Sequence, residues 1–159
     1  YLCSRILKTR CSVTLKKTMI EFSQQNEFSL AQEEAWDQWL TDCCAQEDFV
    51  IGALGYVFCD DEFLLGINRE FLNHDTYTDI ITFGELIGRS VHGEIYISTE
   101  RVEENSKEFC VGFDVELARV MVHGLLHLCG YKDAADHEKA EMRNKESFYI
   151  NQFNLLTTK

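Results

Sequence analysis

From Met19 onward the apolar positions change their period several times, and each change marks an element. MIEF at 19–22 has strand character. Ser29 with Gln32 reads as a capping box ahead of a helix that carries Leu30, Trp36 and Leu40 and runs to about Ala45. FVIGALGYVFC at 49–59, rich in aromatic and β-branched side chains, predicts a strand whose glycines mark a bulge. Asp60 then caps a second helix on which Phe63, Leu64, Ile67 and Phe71 recur at helical spacing and predict a core face, with Leu72 near its end. TDIITF (78–83) and GEIYIS (93–98) predict two more strands. Ser98 or Thr99 caps a helix through about Phe109, and a break at 111–113 separates it from an apolar helix at 114–129. That helix ends at Gly130, where a left-handed C-cap is expected, and a strongly charged helix follows over about 134–155. Strands clustered in the middle, with helices before and after, predict an α+β single domain: a small mixed β-sheet packed with helices.

Composition narrows this picture. The 159 residues suffice for one hydrophobic core, and no apolar run is long enough to span a bilayer. A net charge of −12 argues against a protein that coats nucleic acid indiscriminately, because phosphate binding is driven by Lys and Arg. It leaves room for a nuclease with a small local positive site. Residues 1–18 hold five basic residues and no acidic one, so the remainder carries 15 − 5 = 10 basic against 27 acidic residues. The basic stretch lacks the apolar core and cleavage site of a signal peptide and reads as an N-terminal extension to a domain at 19–159, with Met19 the more natural start. Seven cysteines, odd in number and without a C-x-x-C pair, fit reduced thiols in a cytoplasmic protein, with Cys43 and Cys44 as core or boundary residues.

The chemistry concentrates in His123-Gly124-Leu125-Leu126-His127-Leu128-Cys129-Gly130-Tyr131-Lys132-Asp133, with His137 four residues on. Two imidazoles at i and i+4 lie one above the other on a helix face, where both reach a single divalent ion. Gly130 lets the chain turn back so that a later residue supplies a third ligand and a coordination position stays open for water. Histidines four apart also occur by chance as ordinary buried or surface residues. The apolar helix, its glycine stop and the Asp133, Asp136 and His137 that follow at once weigh for the metal. Gly124 stands where the metalloprotease motif H-E-x-x-H places its general-base glutamate, which counts against a peptidase.

This segment resembles the YbeY family, whose signature runs H-G-x-L-H-L-x-G-Y-D-H. Two upstream blocks extend the similarity. Asn68, with Asp75 and then Thr78-Asp79-Ile80-Ile81-Thr82-Phe83, is similar to L-N-x-x-Y-R-x-x-D-x-x-T-D-V-L-S-F, and Gly93-Glu94-Ile95-Tyr96-Ile97-Ser98 to G-D-I-x-I-S. The resemblance covers about residues 19–150. It implies a zincin-like metal-binding helix and a single-strand-specific, metal-dependent endoribonuclease. It further implies a cytoplasmic role in 16S rRNA 3′-end maturation and ribosome quality control, with RNA and the ribosome or ribosomal proteins as partners. One zinc ion per chain is the first choice of cofactor, held by His123, His127 and Asp133, with His123 assigned to catalysis as well.

Two departures bear on the site. Asp133 falls where the family has its third histidine, and a gapless comparison then puts Met142 on the family's methionine; His137 is the rival ligand. Leu72 replaces an arginine that the family is thought to use near its substrate, and Arg69, His74 and Arg89 are the candidates to restore its charge. Asp79 and Glu94 are candidate carboxylates for orienting an imidazole, and Tyr77, Phe83 and Tyr131 candidates for stacking on bases. The rival readings are a ribosome-assembly factor that keeps its metal for structure and a metallohydrolase of peptide or amide bonds.

Overall fold

The computed structural model describes residues 20–157, with side chains through Phe153; the basic stretch at 1–18 lies outside the described residues. The strands β1 (Ile20–Gln24), β2 (Val50–Cys59), β3 (Ile80–Ile87) and β4 (Ser90–Ser98) form one sheet in the order β1-β2-β4-β3. β1, β2 and β4 run parallel, whereas β3 is antiparallel to β4, so the sheet is mixed as expected. The helices are α1 (Glu33–Gln46), α2 (Asp61–Leu72), α3 (Thr99–Glu108), α4 (Phe113–Leu128) and α5 (Asp136–Thr157). Among the described residues no helix is long and apolar enough to cross a membrane.

Side-chain alternation along the strands divides the interior in two. Leu54, Tyr56 and Phe58 of β2 and Val91, Ile95 and Ile97 of β4 join α1, α4 and α5 in the main core. Cys59, Ile81 and the partly buried Phe83 and Tyr96 turn to the other face, where they meet Leu64 and Ile67 of α2. α4 is buried along most of its length, which explains its near-continuous apolar sequence. Cys43 and Cys44 are core residues, as expected, and Cys59 is buried and free too, its thiol pushed up to about 12 by burial.

Several local expectations hold. Asp60 accepts a hydrogen bond from the Phe63 N–H at 2.8 Å and Ser98 accepts from the Arg101 N–H at 3.2 Å, each capping its helix. On β2, Gly52 and Ala53 face His92 alone, because the register steps from Ile51–Val91 to Leu54–Gly93, and this is the glycine-marked bulge.

Others need correction. The capping box at Ser29 and Gln32 does not form: Gln32 itself is the N-cap of α1, left-handed at φ 57°, and its carbonyl receives the N–H groups of Ala35 and Trp36. The backbone reversal there leaves Ser29 outside the helix. The strands read as 78–83 and 93–98 are parts of a longer hairpin, β3 and β4, turned at Gly88, and Thr78 and Asp79 precede β3. On α2 the buried face is Leu64, Leu65 and Asn68, while Phe63 and Phe71 are exposed. The helix packs through the stripe beside the one its periodicity suggests, so Phe63, Ile67 and Phe71 instead line a second groove with Phe83 and Tyr96.

Candidate metal centre

The site grows out of the C-terminal end of α4. His123 and His127 share a helix face, their rings perpendicular and their Nε2 atoms 3.0 Å apart. After Cys129 the chain breaks out through Gly130 at φ 102°. The Tyr131 N–H bonds to the Leu126 carbonyl and the Gly130 N–H to the His127 carbonyl, which is the bond pattern of a Schellman stop. The turn carries Asp133 back over the helix end, with its Oδ2 3.4 Å from His127 Nε2 and 3.6 Å from His123 Nε2. His137, the rival third ligand, sits in the first turn of α5 and lines a different depression with Glu141 and Asn144. The converging set is His123, His127 and Asp133.

Hydrogen bonds decide what these three atoms offer. His127 Nδ1 lies 3.0 Å from the Tyr131 carbonyl, which can only accept, so this nitrogen carries the proton. His123 Nδ1 lies 2.6 Å from Oε1 of Glu146, a carboxylate only 5% exposed, and is likewise the donor. In the neutral rings both Nε2 atoms are then bare lone pairs. Two lone pairs 3.0 Å apart, with a carboxylate oxygen closing the triangle, repel one another unless a cation lies among them. The spacing suits that cation: a tetrahedral ion with bonds of about 2.1 Å needs its ligands about 3.4 Å apart. The donor set therefore fits a divalent metal.

Close packing places this triad beside the sheet. A Cβ at Gly124 would meet Ile80 Cδ1 at 2.9 Å and Ile95 Cγ2 at 3.0 Å, so any larger residue would make these isoleucine side chains shift for α4 to approach this near. Position 124 points into the core, and a glutamate there could not serve as the base of an H-E-x-x-H site. Between the helix end and β3 runs a groove of about 640 Å³, lined by the triad, Thr82 and Gly84 of β3, and the 73–79 segment. That segment is clamped by buried Asn68: its carbonyl accepts the His74 N–H and its Nδ2 donates to the Thr76 carbonyl at 2.8 Å. Asp79 lines the groove but accepts from Asn105, and Glu94 faces the second groove, where it accepts from Tyr96; neither orients an imidazole. The three aromatics proposed for stacking lie elsewhere: Tyr77 donates to Glu62, Phe83 lines the second groove and Tyr131 donates to Glu47.

The groups that do hold the rings escaped the sequence reading. Glu146 interrupts the buried stripe Met142, Tyr149 and Phe153 on α5, and an acid inside an apolar stripe was the signal available. Its other oxygen faces Arg119, which also pairs with buried Glu116, and that hydrogen bond raises the Arg119 guanidinium further. Tyr131 is anchored at its far end, where its hydroxyl donates to Glu47 at 2.7 Å, alongside Lys145 at 2.7 Å and Tyr149. Burial would raise the Glu47 carboxyl, but the bonds from Lys145, Tyr149 and Tyr131 outweigh it and hold the group below the ordinary carboxylate range.

Residues 17–154 match the profile of the family described as Endoribonuclease YbeY. An Endoribonuclease YbeY of Flavobacterium johnsoniae is 48% identical over 137 residues, spanning 86% of this chain and 99% of that protein. Another, of Christiangramia forsetii, is 45% identical over 141 residues, spanning 89% and 99%. The solution structure of TM1509 from Thermotoga maritima superposes with a TM-score of 0.63 at 31% identity, covering 83% of this chain and 87% of that one.

Proposed function

The chain belongs to the YbeY family of endoribonucleases, and from that membership we propose that it hydrolyses phosphodiester bonds of single-stranded RNA with one zinc ion held by His123, His127 and Asp133. Its place is the cytoplasm, in 16S rRNA 3′-end maturation and ribosome quality control, in contact with the ribosome or its proteins. The observation that carries the metal assignment is the convergence of two proton-free Nε2 atoms and a carboxylate oxygen beside a groove. Two imidazoles and one carboxylate make zinc the first choice.

A divalent ion bound there supplies Lewis acidity toward a phosphoryl oxygen and water that ionises near neutral pH. The protein's own groups supply position. Glu146 and the Tyr131 carbonyl hold the protons at Nδ1 of the two rings and keep Nε2 directed at the site. Both nitrogens of His123 are thereby engaged, so its part in catalysis is that of a ligand. Asp133 would contribute Oδ2, the carboxylate oxygen that faces both imidazoles. The groove between α4 and β3 receives the strand, with the clamped 73–79 segment as one wall.

Metal analysis combined with cleavage of single-stranded RNA by the parent and His127→Ala proteins tests the assignment. Loss of both bound metal and cleavage is expected. Cleavage that survives removal of this imidazole would overturn the mechanism, and metal retained without any RNA turnover would point to an assembly factor.

A further inference from the structure

RNA carries a charge at every nucleotide and is recruited by cationic side chains. Yet the groove's described lining residues include no Lys or Arg; they do include Asp79 and Asp133. The nearby arginines are paired elsewhere, and exposed Lys132, beside Asp133, is not among the residues that line the groove. Arg69 pairs with Asp75, Arg101 with Asp61 and Glu104, Arg119 with Glu116, and Arg89 with Asp48 by the hairpin turn. Apart from the two ligand histidines, the one described lining side chain able to become positive is His74. Its imidazole is exposed and has no hydrogen bond or ion pair among the described residues. Its main chain, by contrast, is held by the N–H bond to Asn68 and by left-handed Asn73 before it, at φ 53°. A fixed backbone and an unoccupied ring at the groove wall are what a contact to a passing phosphate requires.

We propose, resting on the reading of this groove as an RNA site, that His74 is its phosphate-contacting residue and acts in the protonated state. Histidine is the side chain whose charge can change near neutral pH, which makes pH the variable that tests the contact. The charged and titratable groups around it are Asp79, Asp133, His123 and His127 of the groove, and Arg69 and Asp75 of its own turn. Leu72, at the same wall, supplies no charge, so beyond the proposed ion and its ligands His74 is the described lining side chain left to carry a positive charge.

The test is the affinity of the metal-loaded protein for a hydrolysis-resistant single-stranded oligoribonucleotide, by fluorescence anisotropy, in the parent, His74→Gln and His74→Lys proteins. A ratio of variant to parent Kd removes whatever pH does to the ligand triad, since that effect is common to all three. Glutamine is expected to weaken binding about tenfold at about pH 6 and to leave it nearly unchanged at about pH 8. Lysine should bind more tightly than glutamine at both. The salt dependence at about pH 6 should also lose roughly 0.7 from its logarithmic slope in the glutamine variant, the value of one phosphate contact on a single strand. A glutamine ratio that is the same at both pH values, or lysine no tighter than glutamine at about pH 8, overturns the proposal while leaving the endoribonuclease reading in place. A parent protein that holds metal but binds no RNA at either pH overturns both.

Discussion

Glu146→Gln separates control of the ligand from the ligand itself. The substitution keeps the shape of a side chain that is 5% exposed and retains a carbonyl oxygen that can accept from His123 Nδ1, now 2.6 Å from the carboxylate. What it removes is the negative charge behind the imidazole. A hydrogen bond to a charged group contributes about 1.5–3 kcal/mol and a neutral one about 0.5–1.5, so the ring loses roughly 1–2 kcal/mol of support. Loss of such an outer partner weakens metal binding by about 10- to 100-fold, or about 1.4–2.7 kcal/mol, in the same range. Stability without metal should move less. Arg119 keeps Glu116 as its close partner and gives up a contact of 3.6 Å, while one buried charge fewer needs desolvation. Zinc affinity by competition with a chromophoric chelator, beside urea denaturation of the metal-free protein, reads the two quantities separately. An affinity within about twofold of the parent would refute the role given to Glu146.

Glu47→Gln should destabilise the protein by about 1–3 kcal/mol near neutral pH, through the charged bonds from Lys145, Tyr149 and Tyr131. Because the folded-state carboxyl titrates below its ordinary value, this contribution is complete above pH 4.5 and is lost as pH falls through the lowered value. Urea midpoints of parent and variant should therefore converge in acid. Gly124→Glu should cost more than about 3 kcal/mol or prevent folding, since it drives a carboxylate against Ile80 and Ile95. Gly124→Ala, where overpacking of about 1–3 kcal/mol opposes about 1 kcal/mol of helix propensity, should cost about 0–2 kcal/mol by the same denaturation measurement. Leu72→Arg places a cation at the groove wall and should tighten single-stranded RNA binding and steepen its salt dependence by about 0.7 in logarithmic slope, read by anisotropy.

The two histidines were legible because helical spacing is local, whereas spacing left Asp133 and His137 open and the family resemblance favoured Asp133, the residue that the structure brings to the pair. The groups that fix the imidazoles were not, because Glu146 and Glu47 reach the site through the packing of α5 and α1, which no short pattern encodes. The face of α2 was misjudged for a related reason: its apolar stripe is real, but which stripe meets the sheet depends on how the helix is seated. The hairpin ran longer than its apolar ends because Glu85, Leu86 and Ile87 are exposed, so burial leaves no alternation there to read.

That all three proposed metal donors fall within residues 123–133 has a thermodynamic consequence. A denatured chain keeps the same two imidazoles and carboxylate a few residues apart and retains some affinity for the ion, so metal stabilises the native state by less than its native dissociation constant suggests. The margin between the two states is set chiefly by Glu146, which the packing of α5 brings to His123, since the Tyr131 carbonyl lies in the same turn as His127.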